Sequence, residues 1–203
     1  MNGFFYGPIF YIPVSVLMLM GFGIFGLRRK LPLSYYFCAV LGIVYANFAI
    51  SFAFFPITFL DLEGFFIENN ISWSIVNSTQ GFKHIALNMI LTIPLGIGMQ
   101  YVTNLTNKTR LIIIILLSAL FELLQLIIIY IFKPIDVFFD INDLLANIIG
   151  GIAGFTLVHF LNCMYKKERP ENAKSLYKYI RYVCYNCANG KKSLDFSADS
   201  VSS

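Results

Sequence analysis

Five stretches of this chain are long and apolar enough to cross a bilayer: Tyr6–Leu27, Leu33–Pro56, Lys83–Val102, Leu111–Phe132 and Asp143–Tyr165. A spanning helix needs about 20 mainly apolar residues, because the hydrocarbon layer is roughly 30 Å thick. Inside that layer the backbone has no water to bond, so only helices and closed barrels cross it. None of the five stretches alternates apolar and polar residues as a barrel strand would. The expected fold class is therefore all-α: a polytopic helical membrane protein with about five transmembrane helices. Composition agrees. The chain is 58% hydrophobic and 13% charged, against about 25% charged residues in soluble domains, and its mean hydropathy is +0.71. The first stretch lacks the basic segment and the A-x-A-like site of a cleaved signal peptide, so it reads as a helix.

Lysine and arginine placement predicts orientation. Arg28, Arg29 and Lys30 follow the first stretch. Lys108 and Arg110 separate the third from the fourth. Lys166, Lys167, Arg169, Lys174, Lys178, Arg181, Lys191 and Lys192 follow the fifth. With five spans all of these share one side, and only Lys83 and Lys133 fall on the other. The N-terminus is then expected outside and the C-terminus in the cytoplasm. The net charge of +4 is a topology signal on this reading, and no nucleic-acid partner is implied.

Residues 1–167 read as the transmembrane domain and 168–203 as a basic, amphipathic cytoplasmic tail whose end is expected to be disordered. Leu176, Ile180, Val183 and Cys187 recur at helical spacing among lysines and an arginine, which suits a helix on the anionic inner leaflet. The loop Ile57–Phe82 mixes acids with aromatic and aliphatic residues and suits an interfacial cover over helix ends, with Trp73 at headgroup level. Cys184 and Cys187 form C-x-x-C without the second pair or histidines that zinc sites use. A structural disulfide does not suit a cytoplasmic tail.

Glu122, near the middle of the fourth stretch, is the strongest functional signal. An ionisable residue at that depth costs at least roughly 2.5 kcal/mol on insertion scales, so it marks a candidate site. Gln125 follows one turn later. His84, Asn88 and Thr92 share a face of the third stretch, ahead of Pro94 and Gly96. Asp140 precedes the fifth stretch. Asp143, Asn147, Gly150 and Gly154 then form a stripe that is polar in its outer half and glycine in its inner half. With Gly151, those glycines suit close helix packing. His84, Asn88, Gln125, Asp140 and Asn147 are the candidate ligand-binding residues, and Glu122 and Asp143 the acid and base if the protein is an enzyme. Counted from the helix ends, the polar residues can share one pocket open to the outer leaflet. Such a group could hold a divalent cation, run acid–base chemistry, or hydrogen-bond a sugar or phosphate-bearing lipid headgroup. It could also simply lock the bundle. No cofactor is otherwise implied, and neither the metal nor the oligomeric state can be read from the sequence.

Three segments carry a resemblance: N-M-I-L-T-I-P-L-G (Asn88–Gly96), E-L-L-Q (Glu122–Gln125) and D-I-N-D-L-L-A-N-I-I-G-G-I-A-G (Asp140–Gly154). In this order and spacing, across a core of residues 83–155, they resemble the VanZ-like family of bacterial membrane proteins. The family is named for a protein that raises resistance to the glycopeptide teicoplanin without rebuilding the peptidoglycan precursor. The resemblance therefore implies a multi-pass protein of the bacterial cell membrane with a role in the cell envelope. Family members often carry an arginine three residues before the first aspartate of D-x-D-D. Here that position is Val137 and the middle aspartate is Asn142; Lys133 stands one turn earlier.

Three functions compete. The first is a module that binds or shields lipid-linked cell-envelope components, with a lipid-linked wall precursor or a lipoglycopeptide as partner, and lowers susceptibility to teicoplanin-like drugs. The second is a membrane-embedded enzyme acting on a lipid-linked substrate. The third is a small lipid transporter. No nucleophile or H-E-x-x-H motif supports the enzyme, and no inverted repeat supports the transporter, so binding leads.

Overall fold

The structure is a computed structural model, and it describes residues 3–5, 8–55, 57–59, 70–74, 81–134, 136–164, 175–188 and 194. Helices dominate. In chain order the elements are β1 (Gly3–Phe5), α1 (Pro8–Arg28), α2 (Leu33–Phe54), β2 (Ile57–Phe59), β3 (Ile71–Ser72), α3 (Gly81–Val102), α4 (Asn107–Phe132), β4 (Phe139–Asp140), α5 (Ile141–Met164) and α6 (Leu176–Ala188). Four helical segments are long and apolar enough to cross a membrane: Leu33–Phe54, Gly81–Val102, Asn107–Phe132 and Ile141–Asn162. The first expected span is a helix too, but its described apolar section, Ile12–Arg28, is shorter. Large apolar side chains such as Leu17, Phe48, Leu116, Ile131 and Phe160 point outward. In water such a surface would drive association, whereas lipid solvates it.

The helices run up and down, so their ends gather in two groups. At one end, Tyr35 and Leu31 at the start of α2 pack on Tyr179, Val183 and Cys187 of α6. At the other, Ile57 packs with Ile129 of α4, Val137 and Phe139. That second end also carries two short sheets, which the sequence pattern did not predict. β1 pairs antiparallel with β2, and β3 pairs parallel with β4. Their physical reason is backbone satisfaction: connecting segments that dip between helix ends must pair the N–H and C=O groups they bury. Most of the expected interfacial cover between α2 and α3 lies outside the described residues. Of the rest, Trp73 is exposed and leans on Phe139, with ring centroids 4.7 Å apart.

Two helices set the framework. α3 runs through Pro94 without a break and lies against α5 along the glycines. A Cβ at Gly150 would overlap the Met89 carbonyl, and one at Gly154 the Ile93 carbonyl. One at Gly96 would strike the Gly151 carbonyl and the Phe155 nitrogen. Only glycine lets the two backbones come this close, and close approach is how helices gain dispersion energy where no hydrophobic drive exists. Side-chain bonds stitch the remaining helices to this pair. Tyr45 on α2 donates to the Leu91 carbonyl of α3 at 2.8 Å, and Ser15 on α1 donates to Asn47 Oδ1 at 2.8 Å.

Two expectations about charge and amphipathicity change here. α6 packs on the helix bundle through Tyr179, Tyr182, Val183, Asn186 and Cys187, while Leu176 and Ile180 stay exposed. The expected stripe for the leaflet is thus split, because the tyrosines supply most of the buried face. Tyr179 donates its hydroxyl to the Tyr101 carbonyl, and burial pushes its ionisation upward. Arg110 is fully buried rather than a loop anchor. It donates to Asn107 Oδ1 at 2.9 Å, the Thr103 carbonyl at 3.2 Å and Cys187 Sγ at 3.6 Å. Burial pushes the Cys187 thiol up, against the pull of the Arg110 guanidinium. The tail's expected disorder concerns residues outside those described, apart from Leu194, which is buried and bonds Asn104.

Candidate functional site

The site forms where α4 and α5 meet near the end that carries the two sheets. Glu122 is 3% exposed and faces α5 because it shares the buried stripe of α4 with Ile114, Ser118 and Ile129. Asn147 donates from Nδ2 to Glu122 Oε1 at 3.1 Å. The second oxygen, Oε2, has no protein partner among the described residues, and neither do Asn147 Oδ1 and Asp143 Oδ1. Asp143 precedes Asn147 by one turn on the same face of α5. Asn88 on α3 hydrogen-bonds the Asp143 carboxyl, and His84 lies close enough to exert an electrostatic pull on it. Asp140 lies close enough to act electrostatically on both Glu122 and Asp143, and Asp143 on Glu122.

The direct bond between Glu122 and Asn147 fixes relative depth. At 1.5 Å per residue, Glu122 lies about 15 Å from the end of α4 and Asn147 about 9 Å from the start of α5. α5 therefore begins about 6 Å nearer the middle of the bundle than α4 ends, on the same helical rise. The link between them descends to meet it, burying Val137, Phe139 and Asp140 on the way. Asn70 supports that descent by donating to the Pro134 and Val137 carbonyls, both at 2.9 Å.

Asp140, which is fully buried, caps α5. Its Oδ1 accepts from the Asn142 backbone N–H at 2.9 Å and from Asn142 Nδ2 at 2.7 Å. A carboxylate at the N-cap satisfies an orphan amide and favours the positive end of the helix dipole. Asn142 Nδ2 also donates to the Ser74 carbonyl at 2.8 Å, tying the α2–α3 segment to the start of α5.

Not every expected site residue converges. Gln125 gives its NH2 group to the Ala53 carbonyl of α2 at 3.1 Å, so that side chain joins α4 to α2. His84 is exposed at the first turn of α3, and Asn88 is half-buried. Thr92 returns its hydroxyl to its own helix, at the Asn88 and Met89 carbonyls. Lys133 is exposed and closes α4 in a left-handed conformation, with φ of 50°. No group of three His, Cys, Asp or Glu side chains stands close enough to hold a metal ion among the described residues. Asn142 was not singled out as a site residue, yet it is the buried link between cap and loop. A second polar pair, apart from the expected site residues, lies nearer the α6 end. There Asn162 donates to Gln100 Oε1 at 2.8 Å and Gln100 to the Phe155 carbonyl at 3.2 Å, closing α3 on α5. Amides inside apolar stretches were the signal for it.

Comparison with known proteins gives one result. The family model described as VanZ/LLP1 matches residues 42–162, from the middle of α2 to near the C-terminal end of α5. No curated protein and no solved structure matches the chain. The matched region contains the whole Glu122 site and the α3–α5 glycine contact. α1 and α6 fall outside it.

Proposed function

The chain belongs to the VanZ/LLP1 family, and on that premise we propose that it binds lipid-linked cell-envelope components at the Glu122 site and so lowers susceptibility to teicoplanin-like glycopeptides. One observation carries this reading: a buried glutamate in an apolar span bonds Asn147 through one oxygen and no protein group among the described residues through the other. An unsatisfied buried acceptor costs about 1–3 kcal/mol, more when it is charged. A side-chain hydrogen bond between membrane helices contributes only about 0.6 kcal/mol on average. A helix clamp built this way loses stability, so the group is kept for an occupant. Lysine and arginine placement supports an outward orientation for this end of the bundle, where wall precursors and the drug meet the membrane.

The test is tolerance in a sensitive Gram-positive host. Expression is expected to raise tolerance to teicoplanin more than to vancomycin. Alanine at His84, Asn88, Glu122, Asp143 or Asn147 lowers it at matched protein levels, alanine at Gln125, which joins α4 to α2, lowers the protein level itself, and alanine at Asp195 or Asp199 does neither. Glu122→Gln keeps the shape and removes the charge. It should abolish tolerance with the protein level retained, whereas Asp140→Ala should lower the level itself through loss of the cap. Equal loss of tolerance and of folded protein across the site would instead mark it as a clamp. Chemical alteration of a lipid-linked precursor by the purified protein would move the reading to an enzyme with Glu122 and Asp143 as acid and base. Movement of that lipid across a vesicle would move it to a transporter.

A further inference from the structure

We propose that the occupant of the Glu122 site is a primary ammonium group, held by Glu122 Oε2, Asp143 Oδ1 and Asn147 Oδ1. This rests on the binding reading above and names the chemistry of what is bound. The residues concerned are all more than nine-tenths buried, and each offers an oxygen that finds no protein donor among the described residues. Two of the three belong to carboxyl groups, and Asp140 adds its field from the cap. The third is an amide oxygen whose orientation is set, because the NH2 of Asn147 is already committed to Glu122. The site therefore presents acceptor oxygens and two carboxyl groups that pairing with a cation would hold ionised.

Four classes of ligand can be compared with that inventory. A phosphate brings only acceptors and negative charge, so the carboxylates repel it. A hydroxyl brings one donor, too few for three orphan oxygens, and no charge. A primary ammonium brings three donors, no acceptor and one positive charge. Hydrogen bonds between charged partners are roughly twice as strong as neutral ones. A bare divalent ion takes six or more oxygen ligands, and no three His, Cys, Asp or Glu side chains gather for one among the described residues. Only the ammonium matches in donor number and in sign. On a lipid with an amine and a phosphate, the amine enters the site and the phosphate stays toward the rim, where His84 is exposed.

The same ammonium could come from a membrane lipid headgroup or from an amine-bearing soluble molecule. The full chain in lipid nanodiscs separates these sources. In phosphatidylglycerol discs, thermal unfolding is followed with methylammonium chloride and with tetramethylammonium chloride at equal ionic strength. Methylammonium should raise the transition and tetramethylammonium, which has no N–H donor, should not. In a second arm, native mass spectrometry of protein released from mixed membranes should show phosphatidylethanolamine retained over phosphatidylcholine if a lipid headgroup is the source. Asp143→Asn and Glu122→Gln should each weaken methylammonium binding by roughly tenfold, the scale of one charge-assisted hydrogen bond. Because either variant could fold poorly, Asn147→Asp serves as a third. It adds charge to the site and strengthens methylammonium binding while weakening the contact to Glu122. Equal response to the two ammonium salts, with equal retention of the two lipids, overturns the proposal. Drug tolerance without amine discrimination overturns the ammonium site and leaves the envelope role standing. Amine discrimination without drug tolerance supports the site and overturns that role.

Discussion

Asn142 uses its side-chain amide twice, toward Asp140 and toward the Ser74 carbonyl. An aspartate there would donate nothing and would set a second charge against a fully buried carboxyl. In the family pattern that aspartate accompanies an arginine at the position of Val137. Here Val137 is buried with Ile57, Ile129 and Phe139. Where the resemblance leads one to expect a charged pair, this chain carries an amide and an apolar side chain, and the two suit each other. Asn142→Asp alone is expected to destabilise by roughly 3 kcal/mol, the scale of an uncompensated buried charge. Val137→Arg alone should be as harmful. The double variant should recover at least about 1 kcal/mol relative to the sum of the two, as coupled neighbours do. Unfolding followed through Trp73 fluorescence checks this, and strict additivity would refute the pairing. Glu122, Asp143 and Asn147 were legible in the sequence because polar groups stand out against apolar runs. Their mutual depth was not. Counting residues from each helix end assumes the ends are level, and here the α4–α5 link descends. Asp140 and Gln125 carried the same sequence signal as Glu122, but Asp140 caps α5 and Gln125 bonds α2.

At the scale of elements, α3 and α5 form the rigid part, and glycine is what allows it. Gly150→Ala and Gly154→Ala each force a methyl group into an α3 carbonyl. Overpacking of this kind costs about 1–3 kcal/mol. Gly21→Ala and Gly98→Ala meet nothing within 4 Å. Those two should be neutral or stabilising by up to about 1 kcal/mol, since alanine is the better helix former. Thermal unfolding of the four variants in one detergent separates the pairs, and a uniform response would deny the close contact. The glycine stripe was readable from spacing. The placement of α6 was only half readable. Its helical period is plain, but an amphipathic tail with basic flanks fits a leaflet and a protein surface equally well by composition. What decides is the partner: the Tyr101 carbonyl, the Arg110 guanidinium and the start of α2 are supplied by distant parts of the chain.

For the whole molecule, the two ends differ in charge as well as in structure. Exposed Arg28, Arg29, Lys30, Lys108 and Lys178 lie at the end where α6 docks, and exposed Lys83 and Lys133 at the end that carries the site. Arg110 drops out of that comparison because it is buried, yet the asymmetry survives without it. Each basic residue near an anionic leaflet contributes about 1 kcal/mol of attraction, so the excess favours the α6 end in the cytoplasm. The expected outcome is an outward-facing Glu122 site. Single cysteines placed at Trp73, Phe82 and Asp136, with the four native cysteines changed to serine, should react with a membrane-impermeant maleimide on intact cells. Cysteines at Lys30, Lys108 and Lys178 should react only after permeabilisation. Serine at 187 keeps an acceptor for Arg110, so the background should remain folded. The opposite pattern would turn the site toward the cytoplasm. The carboxylates and amides would keep their geometry, but they could no longer meet a ligand or a drug that acts outside the cell. The envelope role would fall on topology alone, whatever the site binds.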